Sequence, residues 1–350
     1  MTQPQITVGI LSGKEIEFSF PVKFNSSVGT EISGTQKVIY QDGKIHWQRK
    51  EYDELSFIPP QNAHAFFELK DVTIGINFHW ERKEIQKFKG ELKIIIEGEQ
   101  LTAINVISIE EYLTSVISSE MSATASLELL KAHAVISRSW LLDKLRIENE
   151  KLKNTMPTDS AANSQFSILN SQFIKWYDHE AHKNFDVCAD DHCQRYQGIT
   201  RASTPQAIEA VSATRGEVLM YQGAICDARF SKCCGGAFEE FQNCWENVKH
   251  PYLIRQRDSK TEKQLPDLTI ETEADKWIRT SPVAFCNTQD KKILSQVLNN
   301  YDQETADFYR WKVSYSQQEL SELIHQRSGI DFGQIIDLIP VERGTSGRLV

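Results

Sequence analysis

Five side chains able to ligate a metal fall within fifteen residues: His179, His182, Cys188, His192 and Cys193. A tetrahedral ion such as zinc takes four donors, with thiolates and imidazoles preferred, and short spacings let one loop supply several of them. His182, Cys188 and Cys193 form the best trio. His192 or His179 completes the set, or a water holds the fourth position. His192 and Cys193 are chain neighbours, so both reach one ion only if the backbone accommodates them. The spacing is not a standard finger pattern, and the competing reading is two reduced thiols with surface histidines on a polar loop. A site closed by protein ligands would be structural, whereas an open one would permit Lewis-acid chemistry or a zinc-activated water held by His182, Cys188 and Cys193. The chain has seven cysteines, and Cys233 and Cys234 are adjacent. That layout suits reduced thiols or a metal better than a set of exported disulfides. Cys233 and Cys234 read as buried thiols, with extension of the metal site as the alternative.

The elements that must carry these residues fall into three stretches. Residues 1–100 read as β-rich, with short alternating runs such as Ile6–Leu11, Ile16–Phe20 and Leu92–Ile96. Asp42-Gly43, between Val38-Ile39-Tyr40 and Ile45-His46-Trp47, is a hairpin turn signal. After Ile104 the period changes. Ile109, Leu113, Val116 and Ile117 share one face of a short helix that ends near Glu120. Ser126 is placed to cap a longer helix running to about Glu148, with Leu127, Leu130, Ala134, Leu141 and Leu145 along it. The polar stretch Lys151–Asn170 reads as a loop or excursion before the Cys/His cluster. A further helix spans Thr204–Thr214 and closes at Gly216, and paired strands are expected around Gln222-Gly223. Thr261–Arg327 is helical and charged in composition, broken by Pro266 and Pro282. The fold class is therefore α+β: a β-rich region over 1–100, a mixed α/β core with a helical excursion over 101–260, and a mainly helical region over 261–350.

At 350 residues, with 40% hydrophobic and 25% charged residues, the chain is long enough for a sizeable core and ordinary for a globular protein. The net charge of −9 comes without any basic block, which excludes broad phosphate-backbone binding and hence nucleic acid as a partner. No run approaches the ~20 apolar residues of a membrane-spanning helix. The N-terminus, Met1–Ile10, lacks the basic and apolar regions of a signal peptide, so the sequence by itself reads as cytoplasmic or as lacking its export signal.

Two separated stretches carry a resemblance. Ile109–Met121 (IEEYLTSVISSEM) and Leu129–Trp140 (LLKAHAVISRSW) resemble the L-x-x-Y-L-x-x-V-x-x-S-E-M and L-K-A-Q-A-V-A-A-R-T-Y core of the SpoIID/LytB family. Downstream, Cys193-Gln194, Tyr196, Gly198, Ala210-Val211, Thr214, Gly216, Gly235-Gly236, Trp245 and Pro251-Tyr252-Leu253 follow in the family's order. The resemblance covers about residues 100–260, with weaker echoes in the N-terminal strands and in Ser346-Gly347-Arg348. Where the family helix has glutamine and threonine-tyrosine, this chain has His133 and Ser139-Trp140. The family also continues to a glycine-rich stretch containing G-W-G-H-G, so the chain, which stops at Val350, reads as shortened relative to it.

The resemblance implies a protein of bacterial cell-wall metabolism acting on peptidoglycan glycan strands. SpoIID-type members are lytic transglycosylases that prefer strands lacking stem peptides, and LytB-type members enhance a separate amidase. It places the catalytic glutamate at Glu120, substrate contacts at Lys131 and Arg138, and zinc ligands at His182, Cys188, His192 and Cys193. A lytic transglycosylase can work with one acid, because the muramic acid C6 hydroxyl attacks internally and leaves a 1,6-anhydro end. Glu120 would then donate a proton and later accept one. Val116, Ile117 and Met121 could desolvate it if they face the site. By itself Glu120 is only a charge ending a helix, and Glu110 and Glu111 read as solvated-face charges. Lys131 and Arg138 lie two turns apart and so on one helix face, in position for the lactyl carboxylate of muramic acid or for an ordinary ion pair. His133 is off that face. Tyr196, Trp140 and Trp245 could stack on sugar rings but more commonly fill a core. The reading is thus a lytic transglycosylase. The alternative is a non-catalytic wall-binding enhancer of an amidase, and the substrate class implies the cell envelope or periplasm.

Overall fold

The computed structural model describes residues 4–61, 64–76, 81–154, 182–200, 204–260, 264–298 and 308–350. Residues 151–154 of the expected polar excursion continue a helix instead; the rest of that stretch and His179 lie outside these residues. The described chain is α+β, as expected. Ten strands come first: β1 (Gln5–Gly13), β2 (Glu15–Ser26), β3 (Glu31–Gln41), β4 (Lys44–Trp47), β5 (Lys50–Tyr52), β6 (Glu54–Ile58), β7 (Phe67–Ile74), β8 (Arg82–Phe88), β9 (Glu91–Glu97) and β10 (Gln100–Ser108). They are followed by α1 (Ile109–Glu120), α2 (Leu127–Asn154), a short strand β11 (Val187–Cys188) and α3 (Pro205–Ala213). Two compact units divide the chain. The first holds the strands and the helices α1–α3; the second is built mainly from 230–290 and 305–350.

In the first unit the strands form one sheet in the order β11-β1-β10-β9-β6-β2-β3-β4-β5, with β7 joined to β2 and β8. Strand alternation builds its core. Along β2, Ile16, Phe18 and Phe20 are buried while their neighbours face outward. Phe18, Phe20, Phe24 and Phe57 meet with ring centroids 4.4–5.3 Å apart, each burial contributing about 1.5–3 kcal/mol. The Asp42-Gly43 turn forms between β3 and β4, both residues at positive φ (52° and 75°).

The sheet feeds straight into the helices. Ser108, the last residue of β10, caps α1 by accepting the Glu111 N–H at 3.4 Å. Ile109, Tyr112, Leu113, Val116 and Ile117 face the core, and the helix ends at Glu120. Leu130, Ala134, Ser137 and Leu141 bury the facing side of α2, which Ser126 starts by accepting the Leu129 N–H. Thr204 caps α3. The strands expected around Gln222-Gly223 shrink to Met220–Tyr221 (β12) and Ala224–Ile225 (β13).

The second unit has sparse regular structure: α4 (Phe241–Cys244), α5 (Glu271–Arg279) and, after the short α6 (Lys291–Val297) that clusters with the first unit, α7 (Gln317–Ser328). The remainder of its described chain is irregular. Gly235 and Gly236 sit at φ +63° and +94°, and a Cβ on Gly236 would come within 2.7 Å of the Tyr309 hydroxyl.

Candidate functional site

The segment 182–200 is what the rest of the first unit holds in place. Asp186 anchors its start, its carboxylate accepting both the N–H and the hydroxyl of Thr7 at 2.7 Å. Val187–Cys188 then adds to β1 as a parallel edge strand, and the Ala189 N–H donates to the Gly9 carbonyl. The Phe185 ring packs over Gly9, where a Cβ would lie 2.6 Å from it. At the far end Gly198, at φ +58°, passes so close to β8 that a Cβ would meet the Lys87 carbonyl at 2.1 Å. The intervening turn closes with the Cys193 N–H on the Asp190 carbonyl and the Tyr196 N–H on Ala189.

This turn gathers four donors. The His182, Cys188, His192 and Cys193 ligating atoms all lie within 4.8 Å of one another. Cys193 Sγ is 3.4 Å from His182 Nε2 and 3.4 Å from His192 Nδ1, and Cys188 Sγ is 4.0 Å from His192 Nδ1. A tetrahedral ion with sulfur at about 2.3 Å and nitrogen at about 2.0 Å has sulfur–nitrogen edges of about 3.5 Å, which the two Cys193 edges match and the Cys188–His192 edge exceeds. The Asp190–Cys193 turn is the accommodation that lets neighbouring His192 and Cys193 point inward together. Cys188 and Cys193 face each other closely. The hydrogen bond from Cys193 draws the Cys188 thiol down, while the same contact and burial push Cys193 up.

Glu120 lies beside this turn. Its Oε1 accepts the backbone N–H of Arg195 at 2.7 Å, two residues past Cys193. The residues between are wedged against the helices. Gln194 accepts from the Tyr112 hydroxyl and donates to the Ser137 carbonyl, and the Gln197 N–H donates to Ser115 Oγ. The Arg195 guanidinium forks onto Asp191 at 3.1 and 2.9 Å. On the sheet side of the same turn, Arg195, Cys188, Asp190 and His192 line a cavity of about 410 Å³ that also takes in Gln86 and the edge of Tyr196.

The other candidates separate. Lys131 stays at the surface, 3.0 Å from Glu128. Arg138 is 1% exposed. Its guanidinium pairs with both oxygens of Glu110 at 2.7 and 3.1 Å and donates to the Val211 and Glu217 carbonyls. It therefore clamps α1 and α2 to α3, so the shared face expected for Lys131 and Arg138 resolves into one exposed and one interior residue. Glu110 is correspondingly half-buried and paired rather than solvated. Tyr196 is also interior, donating to Asn105 Oδ1 at 2.6 Å and stacking on Tyr112. His133 is buried, and burial lowers its pKa to about 4.

Residues 97–221 match the family model described as stage II sporulation protein. That interval contains Glu120, the turn and all four donors. Over this segment the chain is similar to the SpoIID/LytB family. Residues 239–350 match a model described as a domain of unknown function. The chain is similar to an uncharacterized protein of Brachyspira hyodysenteriae, 25% identical over 168 residues, or 48% of this chain and 36% of that one. Stage II sporulation protein D of Bacillus subtilis is 27% identical over 43% of this chain and 38% of its own. The amidase enhancer of the same organism is 29% identical over 42% and 15%. The chain thus spans well under half the length of the curated relatives it matches.

Sequence reasoning did not single out Arg195, whose backbone N–H meets Glu120, or Gln197, and it named Gln194 only as part of the motif, without its role in locking the turn to the helices. The signal was there in Cys193-Gln194 and Gly198: a polar run bounded by a ligand and by a glycine that a close approach requires.

Proposed function

We propose that this chain acts on bacterial cell-wall glycan as a lytic transglycosylase, with Glu120 as its single acid–base group and His182, Cys188, His192 and Cys193 as a zinc site. The observation that carries the reading is the 2.7 Å hydrogen bond from the Arg195 N–H to Glu120, made by a backbone that the four-donor turn fixes. Zinc, when bound, supplies rigidity: with four protein ligands it has no open position for a water. The acid–base work falls to Glu120. One oxygen is held by Arg195, and the other delivers a proton to the glycosidic oxygen as the bond breaks. The carboxylate so formed takes the proton of the C6 hydroxyl that closes the 1,6-anhydro ring. One group in two roles needs no second carboxylate, unlike a hydrolase. Lys131, exposed on α2, is the remaining candidate for the lactyl carboxylate. The cell envelope follows from the substrate.

The test is incubation of the chain and its Glu120→Gln variant with strands lacking stem peptides, the new ends read by mass spectrometry. Anhydro-muramic ends from the parent alone are expected. Equal cleavage by the variant contradicts the assignment.

A second reading, a wall-binding enhancer of an amidase, is favoured by one observation: the relative named amidase enhancer shares 29% identity with this chain. It predicts glycan binding without new ends, and faster amidase turnover when that partner is added.

A further inference from the structure

The second unit contains a cluster of its own. Cys234, Asp258 and Cys286 bring two sulfurs and a carboxylate oxygen within 4.8 Å of one another, with Cys234 Sγ and Cys286 Sγ 3.6 Å apart and both thiols free. Two thiolates bound to one tetrahedral ion at about 2.3 Å are separated by about 3.8 Å, close to this spacing. The geometry points to a second zinc site, structural in role, made by Cys234, Asp258 and Cys286, with Cys233 or a water in the fourth position.

Three further observations support it. First, the donors come from three segments that the backbone ties together: the Asp258 N–H donates to the Gly236 carbonyl, the Phe285 N–H donates to the Asp258 carbonyl, and the Cys286 N–H donates to Asp258 Oδ2 at 2.9 Å. The last bond holds the carboxylate beside the Cys286 backbone, within reach of both sulfurs. Second, cations stand over the site. Arg348 donates to the Cys234 and Ala237 carbonyls, and Arg310 to the Gly235 carbonyl, so the net negative charge of two thiolates and a carboxylate around a dication is balanced nearby. Third, the unit's described hydrophobic cluster is small: Ala237, Leu268 and Trp277, with Leu265 packed against it. A unit with so little core calls for a staple, and an ion joining three irregular segments supplies one. Donors that are sulfur and carboxylate, in a tetrahedral spacing, select zinc over magnesium or calcium.

The full chain, purified under reducing conditions without chelator, tests this by metal counting. In a Cys188→Ser/Cys193→Ser background, which removes the first cluster, one equivalent of zinc per chain is expected to remain. Adding Cys286→Ser removes it, while Cys244→Ser, at an exposed cysteine, leaves it. Where Cys286→Ser fails to fold, Cys286→His, which restores a donor, retains the ion, and Asp258→Asn releases it at lower chelator concentration than the parent. Reconstitution with cobalt is expected to give a sulfur-to-metal charge-transfer band that Cys286→Ser abolishes. Zinc content unaffected by Cys286→Ser overturns the proposal. So does an intact mass, taken on chain purified without reductant, that is lower by two hydrogens in the parent but not in Cys286→Ser, which would mean that Cys234 and Cys286 form a disulfide instead. Both outcomes are independent of whether Glu120 cleaves glycan.

Discussion

Replacing Arg138 by Met leaves the Glu110 carboxylate half-buried without its guanidinium and strips two carbonyls of their donor. The loss expected is about 3 kcal/mol, visible as a lower denaturant midpoint. Lys131→Ala, by contrast, removes an exposed pair and should change stability by no more than about 0.5 kcal/mol. A large drop in cleavage with unchanged stability in Lys131→Ala would assign Lys131 to substrate; unchanged cleavage would remove it from the site. The helix period placed both cations on one face, but a period carries no depth, and only the arrival of α3 over Arg138 sinks it. His133 adds a pH dependence. Its pKa is about 4 folded and about 6.5 unfolded. The unfolded state therefore binds the extra proton between those values, and stability falls as pH drops from about 6.5 to 4, by up to about 3 kcal/mol. His133→Gln is expected to flatten that slope in pH-resolved denaturation. An unchanged slope would place its origin elsewhere.

At the scale of elements, the turn over 182–198 brings the four donors and the backbone N–H that meets Glu120 into one short segment. Its four donors fell together in the sequence because one loop supplied them all, so the local spacing was enough to find them. What spacing could not convey is how the turn is held: by Thr7 at one end, by β8 at the other, and by Tyr112, Ser115 and Ser137 on the helices. Gly198→Ala would drive a Cβ into the Lys87 carbonyl at a positive φ. A cost of about 2–3 kcal/mol is expected, together with weaker zinc retention against a chelator. Full retention would mean that the turn's geometry does not depend on that close approach. The end of helix α1 was legible, since its apolar stripe stops just short of Glu120, while the Ser108 cap at its start was not read from the sequence. The strands near Gln222 were overextended, because an alternating pattern persists beyond the two residue pairs that actually bond.

Across the whole molecule, the β-rich first stretch and the α/β segment form one unit, continuous from β10 into α1, while the irregular C-terminal residues form another. Charged, polar composition suggested helix there, yet its described chain is ordered largely by side-chain to backbone ties. Glu239 is the clearest. Its carboxylate accepts from the N–H and hydroxyl groups of both Thr345 and Ser346 and from Asn243. Burial opposes its ionisation, but those hydrogen bonds outweigh it and hold its pKa below the usual glutamate value. The stability it contributes is thus present above about pH 4.3 and lost as pH falls through the lower folded value. Glu239→Gln is expected to cost about 1–3 kcal/mol at neutral pH and to weaken acid sensitivity. Such partners sit more than a hundred positions away in sequence, which is why no local pattern revealed them. The central claim remains the role of Glu120, and the most direct measurement is the chemical nature of the ends released from glycan strands lacking stem peptides. The account predicts 1,6-anhydro-muramic ends from the parent and none from a folded, zinc-replete Glu120→Gln; anhydro ends from that variant at the parental rate would contradict it.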